Sequence, residues 1–251
     1  MERRRWVLWV VVAVCAAVMG YGVARVQLLV DTGPLVVGQD AISDTSSAQA
    51  RVSVDDVGGS VINIRPASGD GDLLLVLYPG APVRPQAYEW LGRALAAEGV
   101  QTVIPEMPLD LAVLDSGRAE ELITAYAAGR PVVLAGHSLG GAMAAQWASA
   151  NSDALAGLVL MAAYPADNVT VAGVPALSIM AEHDEIATAA DVRGGVERLP
   201  EGTELVVING AAHSFFGRYG PQHGDGRPTV DRAAAEHQIV LTMIDFLTEL
   251  R

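Results

Sequence analysis

Residues 131–145 read PVVLAGHSLGGAMAA and set the architecture of this chain. The first six residues form an apolar run typical of a buried strand, and residues 139–151 have the small-residue composition of a helix packed closely on a sheet. Between them lies the pattern G-x-S-x-G, from Gly136 to Gly140. Flanking glycines allow a sharp strand-to-helix turn that exposes its serine. The stretch therefore predicts Ser138 as a nucleophile, because the start of the following helix offers N–H groups to a developing oxyanion.

The chain on both sides of this turn alternates short apolar runs with helical patterns. Such alternation is typical of an α/β domain, in which a mainly parallel sheet carries helices on both faces. Only about a dozen residues, 163–174, separate two of the apolar runs, which leaves no room for a large helical lid. We predict an opening hairpin at 52–54 and 61–66, strands at 72–80, 100–106, 131–136, 155–163, 175–181 and 204–210, and helices at 85–99, 116–129, 139–151, 188–199 and about 229–250.

This arrangement resembles the α/β-hydrolase superfamily over about residues 60–250, with G-x-S-x-G at 136–140 following a strand and opening a helix. Within the superfamily, the chain is similar to small lidless serine hydrolases related to the dienelactone-hydrolase-like group. Dienelactone hydrolases themselves use a cysteine nucleophile, whereas this chain has Ser138. The resemblance implies an α/β-hydrolase fold and a carboxylesterase-like enzyme that needs no organic cofactor.

The resemblance also implies the partners of the serine. In the superfamily, a histidine after the last strand is the base, and an acid after the preceding strand orients it. His213 follows the strand at 204–210, and Asp184 lies three residues past the strand at 175–181, so the order Ser138, Asp184, His213 is that of the family. The competing acids are Glu182, Glu185 and Asp167, the competing base is His223, and His137 is expected to pack beside the turn.

The oxyanion hole is predicted from two backbone N–H groups. One belongs to Leu139, the residue after the nucleophile. The other is expected in the turn after the strand at 72–80, where Tyr-Pro-Gly stands in place of the family's His-Gly. Ala81 is the candidate donor, Gly80 allows close approach of substrate, and Pro82 has no N–H to donate. The alternative interpretation of this turn is an ordinary strand end.

The segment 213–232, HSFFGRYGPQHGDGRPTVDR, directly follows the candidate base and is rich in aromatic residues and glycine. One hypothesis places Phe216 and Tyr219 in a wall of the substrate pocket, and the other makes the segment an ordered surface loop. We expect no metal, because the histidines show no H-x-x-x-H spacing and Asp225 and Asp231 do not match a calcium loop.

The first 25 residues differ from the rest of the chain. Residues 6–24 carry no charge and, as a helix, would span about 28 Å, close to the thickness of a bilayer core. The preceding sequence MERRR is expected to stay cytoplasmic, which places the rest outside the cell membrane. We therefore predict a single-pass anchor at 1–25, a linker at 26–50 and a hydrolase domain at 51–251. The alternative is a cleaved signal peptide and a secreted domain.

The net charge of −13 argues against a polyanionic partner, and all 16 basic residues are arginine. An acidic surface repels nucleic acid, so we expect a small-molecule ester, and the lipid bilayer through the anchor, as partners. The leading prediction is hydrolysis of ester or thioester bonds through an acyl-enzyme. The alternatives are acyl transfer to an alcohol or amine of the cell envelope and a non-catalytic binding module on a hydrolase fold.

Overall fold

The computed structural model describes residues 40–251, Gly38 and a few positions near the N-terminus, namely Trp6, Trp9, Val12, Ala16 and 19–22. The chain divides into two units, Met1–Val36 and Val37–Arg251. Most of the predicted anchor and the first half of the predicted linker lie outside the described residues. Among the residues that are described, no helix has the length and apolar character needed to cross a membrane.

The second unit is built on one sheet of eight strands in the order β1-β2-β4-β3-β5-β6-β7-β8. The pairs β1–β2 and β2–β4 are antiparallel, and all the other pairs are parallel, which confirms the mainly parallel sheet. The strands are β1 Arg51–Asp56, β2 Ser60–Arg65, β3 Leu73–Tyr78, β4 Val100–Pro105, β5 Val132–His137, β6 Gly157–Met161, β7 Ala176–Ala181 and β8 Glu204–Ile208.

Helices cover both faces of this sheet, as the continuous apolar runs of the central strands require. Leu74 and Val76 of β3 face one core, where they pack with Leu122 and Ala144. Alternate residues of a strand point to opposite faces, so Leu75 lies in the second core. The helices are α1 Glu89–Ala96, α2 Ala119–Tyr126, α3 Leu139–Asn151, α4 Ala189–Val196 and α5 Arg232–Thr248.

Several elements are shorter than the sequence pattern predicts, and local chemistry explains some of the boundaries. Helix α5 begins at Arg232 rather than near 229, because the Asp231 side chain accepts the N–H of Ala234 as an N-cap. Helix α1 begins at Glu89, since a 3₁₀ turn over Pro85–Tyr88 precedes it. The residues at 162–175 contain no helix, all of them being described, which agrees with the predicted absence of a lid.

Residues 40–50, the second half of the predicted linker, are ordered and contact the domain. Ala41 and Ser47 are buried, and a 3₁₀ turn forms at Ser47–Gln49. The Arg93 guanidinium donates to the carbonyls of Ser47 and Ala50 at 3.5 Å. Arg218 donates to the Ser43 hydroxyl at 2.7 Å. The polar composition of this stretch suggests a loose spacer, but its backbone carbonyls are paired with arginines of the domain.

Candidate active site

Ser138 occupies the turn between β5 and α3 in a strained backbone conformation, with φ 52° and ψ −125°. A non-glycine residue at positive φ persists only where its surroundings enforce it. Glycines on both sides provide the space for this turn. A Cβ on Gly136 would lie 2.5 Å from the backbone of Gly140, and one on Gly140 would lie 2.2 Å from the Pro79 carbonyl oxygen. Ser138 is half-buried and therefore reachable from solvent.

Asp184 and His213 meet in a buried pair at the carboxyl ends of β7 and β8. Asp184 Oδ2 lies 2.8 Å from His213 Nδ1, and both side chains are almost inaccessible. The other carboxylate oxygen, Oδ1, accepts the N–H groups of Ile186 and Ala187 at 2.8 and 2.7 Å. Those two bonds fix the carboxylate, and the carboxylate fixes the imidazole, since an ionised carboxylate can only accept and so binds the Nδ1–H tautomer.

The Nε2 atom of His213 is buried and has no hydrogen-bond partner among the described residues. Its ring lies 4.7 Å, between centroids, from the ring of His137, the residue directly before Ser138. The structure thus brings the three predicted triad residues to one edge of the sheet without a hydrogen bond between Ser138 and His213. Such a bond is often long in a ligand-free enzyme and forms when substrate binds.

The competing acids and bases lie away from this cluster. The Asp167 side chain is fully exposed and pairs with Arg198, at 3.7 Å. Glu182 accepts the N–H of Gly210 at the surface. None of these side chains approaches His213 or Asp184 within hydrogen-bonding distance. The exposed alternatives are Asp167, Glu182, Glu185 and His223.

The two predicted oxyanion donors have free N–H groups. Among the described residues, neither the N–H of Ala81 nor that of Leu139 has an acceptor. The N–H of Gly80 is occupied, because it donates to the Tyr88 hydroxyl at 2.8 Å. The start of α3 lies directly against this turn, as the 2.2 Å gap between a Cβ on Gly140 and the Pro79 oxygen shows. The geometry therefore leaves Ala81, rather than Gly80, as the available donor from the turn.

The two aromatic residues predicted for the pocket differ in position. Phe216 has no accessible surface, and its ring centroid lies 5.5 Å from that of His137. Phe216 therefore packs behind His137 and does not line a surface that a ligand can reach. Tyr219 is partly exposed, its ring is 6.3 Å from that of His137, and its hydroxyl donates to Gln222. In this conformation Tyr219 is the one of the two that a ligand can touch.

Sequence reasoning missed two residues that hold the site together. The Asp225 carboxylate accepts the backbone N–H groups of His213 and Ser214 at 3.0 and 2.9 Å, which fixes the segment carrying the candidate base. Tyr88 bonds both Gly80 and His137 Nδ1, each at 2.8 Å. Neither belongs to a motif, so only the contacts of the folded chain reveal them.

Burial controls the ionisation of the groups around the turn. It lowers the pKa of His137 well below its ordinary value, and the neighbouring His213 lowers it further. It raises the pKa of the Tyr88 hydroxyl well above its ordinary value. Both groups are therefore neutral near pH 7. Within the part of the chain that the structure describes, no three His, Cys, Asp or Glu side chains are grouped as ligands of a metal ion.

Comparison with known proteins agrees with this fold. The chain matches the family model described as "Alpha/beta hydrolase family" over residues 74–237 and belongs to that family. A predicted CIB-like hydrolase from Thermoplasma acidophilum has a similar structure, with a TM-score of 0.60, 14% identity and coverage of 80% of this chain and 98% of that chain. Dienelactone hydrolase from Anabaena variabilis gives a TM-score of 0.58, 15% identity and the same coverages.

No curated protein sequence matches the chain. At these identities the two solved structures bear on the fold alone. Together with the family match, they confirm the expected α/β-hydrolase architecture.

Proposed function

We propose that the domain is a serine hydrolase that cleaves accessible carboxylic esters or thioesters through an acyl-enzyme. The observation that carries the proposal is the buried Asp184–His213 pair, 2.8 Å between Oδ2 and Nδ1, beside a serine held at φ 52°. A pair of this kind activates a neighbouring hydroxyl, and a strained turn presents that hydroxyl to substrate. Dienelactone hydrolase shares the fold at 15% identity, so its reaction is not transferred to this chain.

The proposed first step is acylation. Ser138 Oγ attacks the carbonyl carbon while Nε2 of His213 takes the hydroxyl proton. Nε2 has a free lone pair because Asp184 holds the ring proton on Nδ1. The N–H groups of Leu139 and Ala81 then bind the tetrahedral oxyanion. Collapse of the intermediate breaks the bond to the alcohol or thiol, which leaves with the proton from Nε2.

Deacylation reverses these roles with water as the nucleophile. His213 takes a proton from water, the hydroxide oxygen attacks the acyl carbon, and Ser138 leaves with the proton returned from Nε2. The short connection at 162–175 contains no helix over the site, which favours esters that reach an open surface. The partly exposed Tyr219 is the proposed contact for the substrate chain.

A fluorophosphonate probe tests the activated serine on the full chain. We expect wild type to be labelled, and Ser138→Ala and His213→Ala to lose labelling. Two matched controls exist, Ser149→Ala and His223→Ala, because both residues are exposed in the structure. Both controls should be labelled like wild type. A folded wild-type chain that takes no label would contradict the proposal.

The proposal includes a membrane tether at residues 6–24, which rests on the uncharged run and on the aromatic residues Trp6, Trp9 and Tyr21 near its ends. We expect the full chain to remain in the membrane fraction after alkaline extraction, and a chain lacking residues 1–25 to be released. A mature protein whose sequence starts at Arg25 would replace the tether by a cleaved signal peptide.

A further inference from the structure

We propose that His137 and Tyr88 are positioning residues for the turn at 78–82, which carries the Ala81 N–H and is called the oxyanion turn below. Through Gly80 they hold this turn against the nucleophile. This inference rests on the proposed function and extends it to two residues with no part in the triad. His137 occupies the variable position of G-x-S-x-G, and Tyr88 ends the 3₁₀ turn before α1. Both are almost completely buried.

Chemistry fixes the direction of the hydrogen bond between Gly80 and Tyr88, and the inference assigns the direction of the one between Tyr88 and His137. The Gly80 N–H can only donate, so the Tyr88 oxygen accepts from it at 2.8 Å. The hydroxyl hydrogen of Tyr88 is then free to donate to His137 Nδ1, also at 2.8 Å. This assignment requires a neutral His137 with its proton on Nε2, and burial supports it by lowering the His137 pKa. Nε2 of His137 is buried and has no hydrogen-bond partner among the described residues, so Tyr88 provides the polar contact of the ring.

These bonds determine where the Ala81 N–H points. The Gly80 N–H is bound to Tyr88, and the Gly80 carbonyl accepts the N–H of Val83 at 3.0 Å. In a trans peptide the C=O of one residue and the N–H of the next point in opposite directions. Fixing the Gly80 carbonyl toward Val83 therefore turns the Ala81 N–H to the other side, where it has no acceptor among the described residues.

The space around Gly80 shows how closely the two side chains fit this turn. A Cβ on Gly80 would lie 2.8 Å from His137 Nδ1 and 3.0 Å from the Tyr88 oxygen. The His137 ring also contacts the rings of His213 and Phe216, at 4.7 and 5.5 Å between centroids. His137 thus touches, directly or through Tyr88, the turn after β3 and the segment after β8, while it is itself joined to Ser138.

A purely packing role would be met by any ring of similar size. A phenyl group at either position would leave a buried donor or acceptor without its partner, and the turn would be free to rotate. The inference therefore predicts that the polar atoms, rather than the rings, govern turnover.

The first experiment measures kcat and KM of the full chain with a short-chain ester. Tyr88→Phe and His137→Leu should each lower kcat about 10-fold or more, with KM within about twofold, because a donor used only in the transition state is misplaced. His137→Asn keeps an acceptor near the place of Nδ1 and should recover most of the loss. Tyr126→Phe is the matched control, since its hydroxyl bonds Asp55 at the far edge of the sheet. It should match wild type.

The second experiment compares each ester with its thionoester, whose sulfur is a poor hydrogen-bond acceptor. Wild type should prefer the ester strongly, and Tyr88→Phe should lose the ester rate with little change in the thionoester rate. An unchanged ratio in a Tyr88→Phe enzyme with wild-type kcat overturns the inference. If Tyr88→Phe does not fold, the two His137 variants decide, and equal kcat in His137→Leu and His137→Asn overturns it. A wild type without labelling by the fluorophosphonate contradicts the proposed function instead.

Discussion

At the scale of single residues, the site depends on backbone that only particular side chains permit. Ser138 stands at φ 52°, a conformation that costs a non-glycine residue about 1–3 kcal/mol and persists only where the surrounding structure enforces it. Here the neighbours are glycines, because Gly136 and Gly140 sit where any Cβ would meet backbone. The residue before the nucleophile adds a polar constraint through its ring. The nucleophile is therefore placed by the residues around it as much as by its own motif.

Gly140→Ala tests this crowding. The new Cβ would lie 2.2 Å from the Pro79 oxygen and 2.5 Å from the Tyr78 oxygen, so it must push the oxyanion turn away from α3. We expect a loss of about 1–3 kcal/mol in the free energy of unfolding and a lower kcat. Urea denaturation and ester kinetics measure both. Gly194→Ala is the matched control, because nothing lies within 4 Å of its Cβ and it stands inside α4. If Gly140→Ala changed neither the free energy of unfolding nor kcat, the turn would tolerate displacement.

Asp184→Asn tests the orientation of the base. An amide fills the same volume but can donate to Nδ1, which shifts the ring proton to Nε2 and removes the lone pair that Ser138 needs. We expect kcat to fall on the order of 10³–10⁴-fold with the fold retained, as in serine proteases changed in this way. Steady-state kinetics and circular dichroism provide the measurement. Asp167→Asn, at a fully exposed acid, should behave like wild type. The reverse result would make Asp167 the orienting acid.

At the scale of elements, the site is assembled from segments that follow β3, β5, β7 and β8. Their carboxyl ends lie at one edge because the strands are parallel. Such assembly needs the connecting segments to be held as firmly as the strands. The segment after β8 is held by Asp225, whose carboxylate binds the N–H groups of His213 and Ser214.

Asp225→Ala should therefore act on catalysis. Losing both acceptors frees the backbone that carries His213, and we expect kcat to fall about 10-fold, since small misplacements of a catalytic group are costly. Asp231→Ala makes a sharp comparison. Its side chain caps α5 at 2.8 Å, so its loss should cost about 1 kcal/mol of stability with kcat unchanged. Kinetics and thermal unfolding of the two variants distinguish the roles. Equal effects on kcat would remove the special role of Asp225.

Most strands, helices and candidate catalytic residues could be predicted from the sequence. The residues that could not be predicted were missed for a physical reason. Apolar runs and helical patterns predict the eight strands and five α-helices of residues 51–251, because burial imposes those periods. The order of Ser138, Asp184 and His213 follows from the family resemblance, and in the structure Asp184 lies 2.8 Å from His213. Tyr88 and Asp225 escape prediction because their hydrogen bonds to the backbone N–H groups of Gly80, His213 and Ser214 follow no sequence pattern. Contacts of that kind depend on the fold and leave no period in the sequence.

At the scale of the whole domain, one buried ion pair attaches the segment that precedes β1 to the rest of the domain. Arg93 Nε lies 2.7 Å from Glu89 Oε1 on the surface of α1, and both side chains are nearly inaccessible. The second carboxylate oxygen accepts the N–H of Gly38 at 2.8 Å, and the guanidinium reaches the carbonyl oxygens of Ser47 and Ala50. The same pair thus holds both ends of segment 38–50.

Arg93→Leu should release this segment at a high cost. The Glu89 carboxylate would stay buried without its partner, which typically lowers the free energy of unfolding by about 3–5 kcal/mol. The double variant Glu89→Leu with Arg93→Leu removes both charges and should recover much of that stability. In both variants the carbonyl oxygens of Ser47 and Ala50 lose the Arg93 donor, so residues 40–50 should loosen and their amide hydrogens should exchange faster. Denaturation gives the stability and hydrogen exchange gives the order of the segment. If the double variant were no more stable than the single one, the cost would come from lost packing rather than from an unpaired charge, and the ion pair would not be what holds the segment.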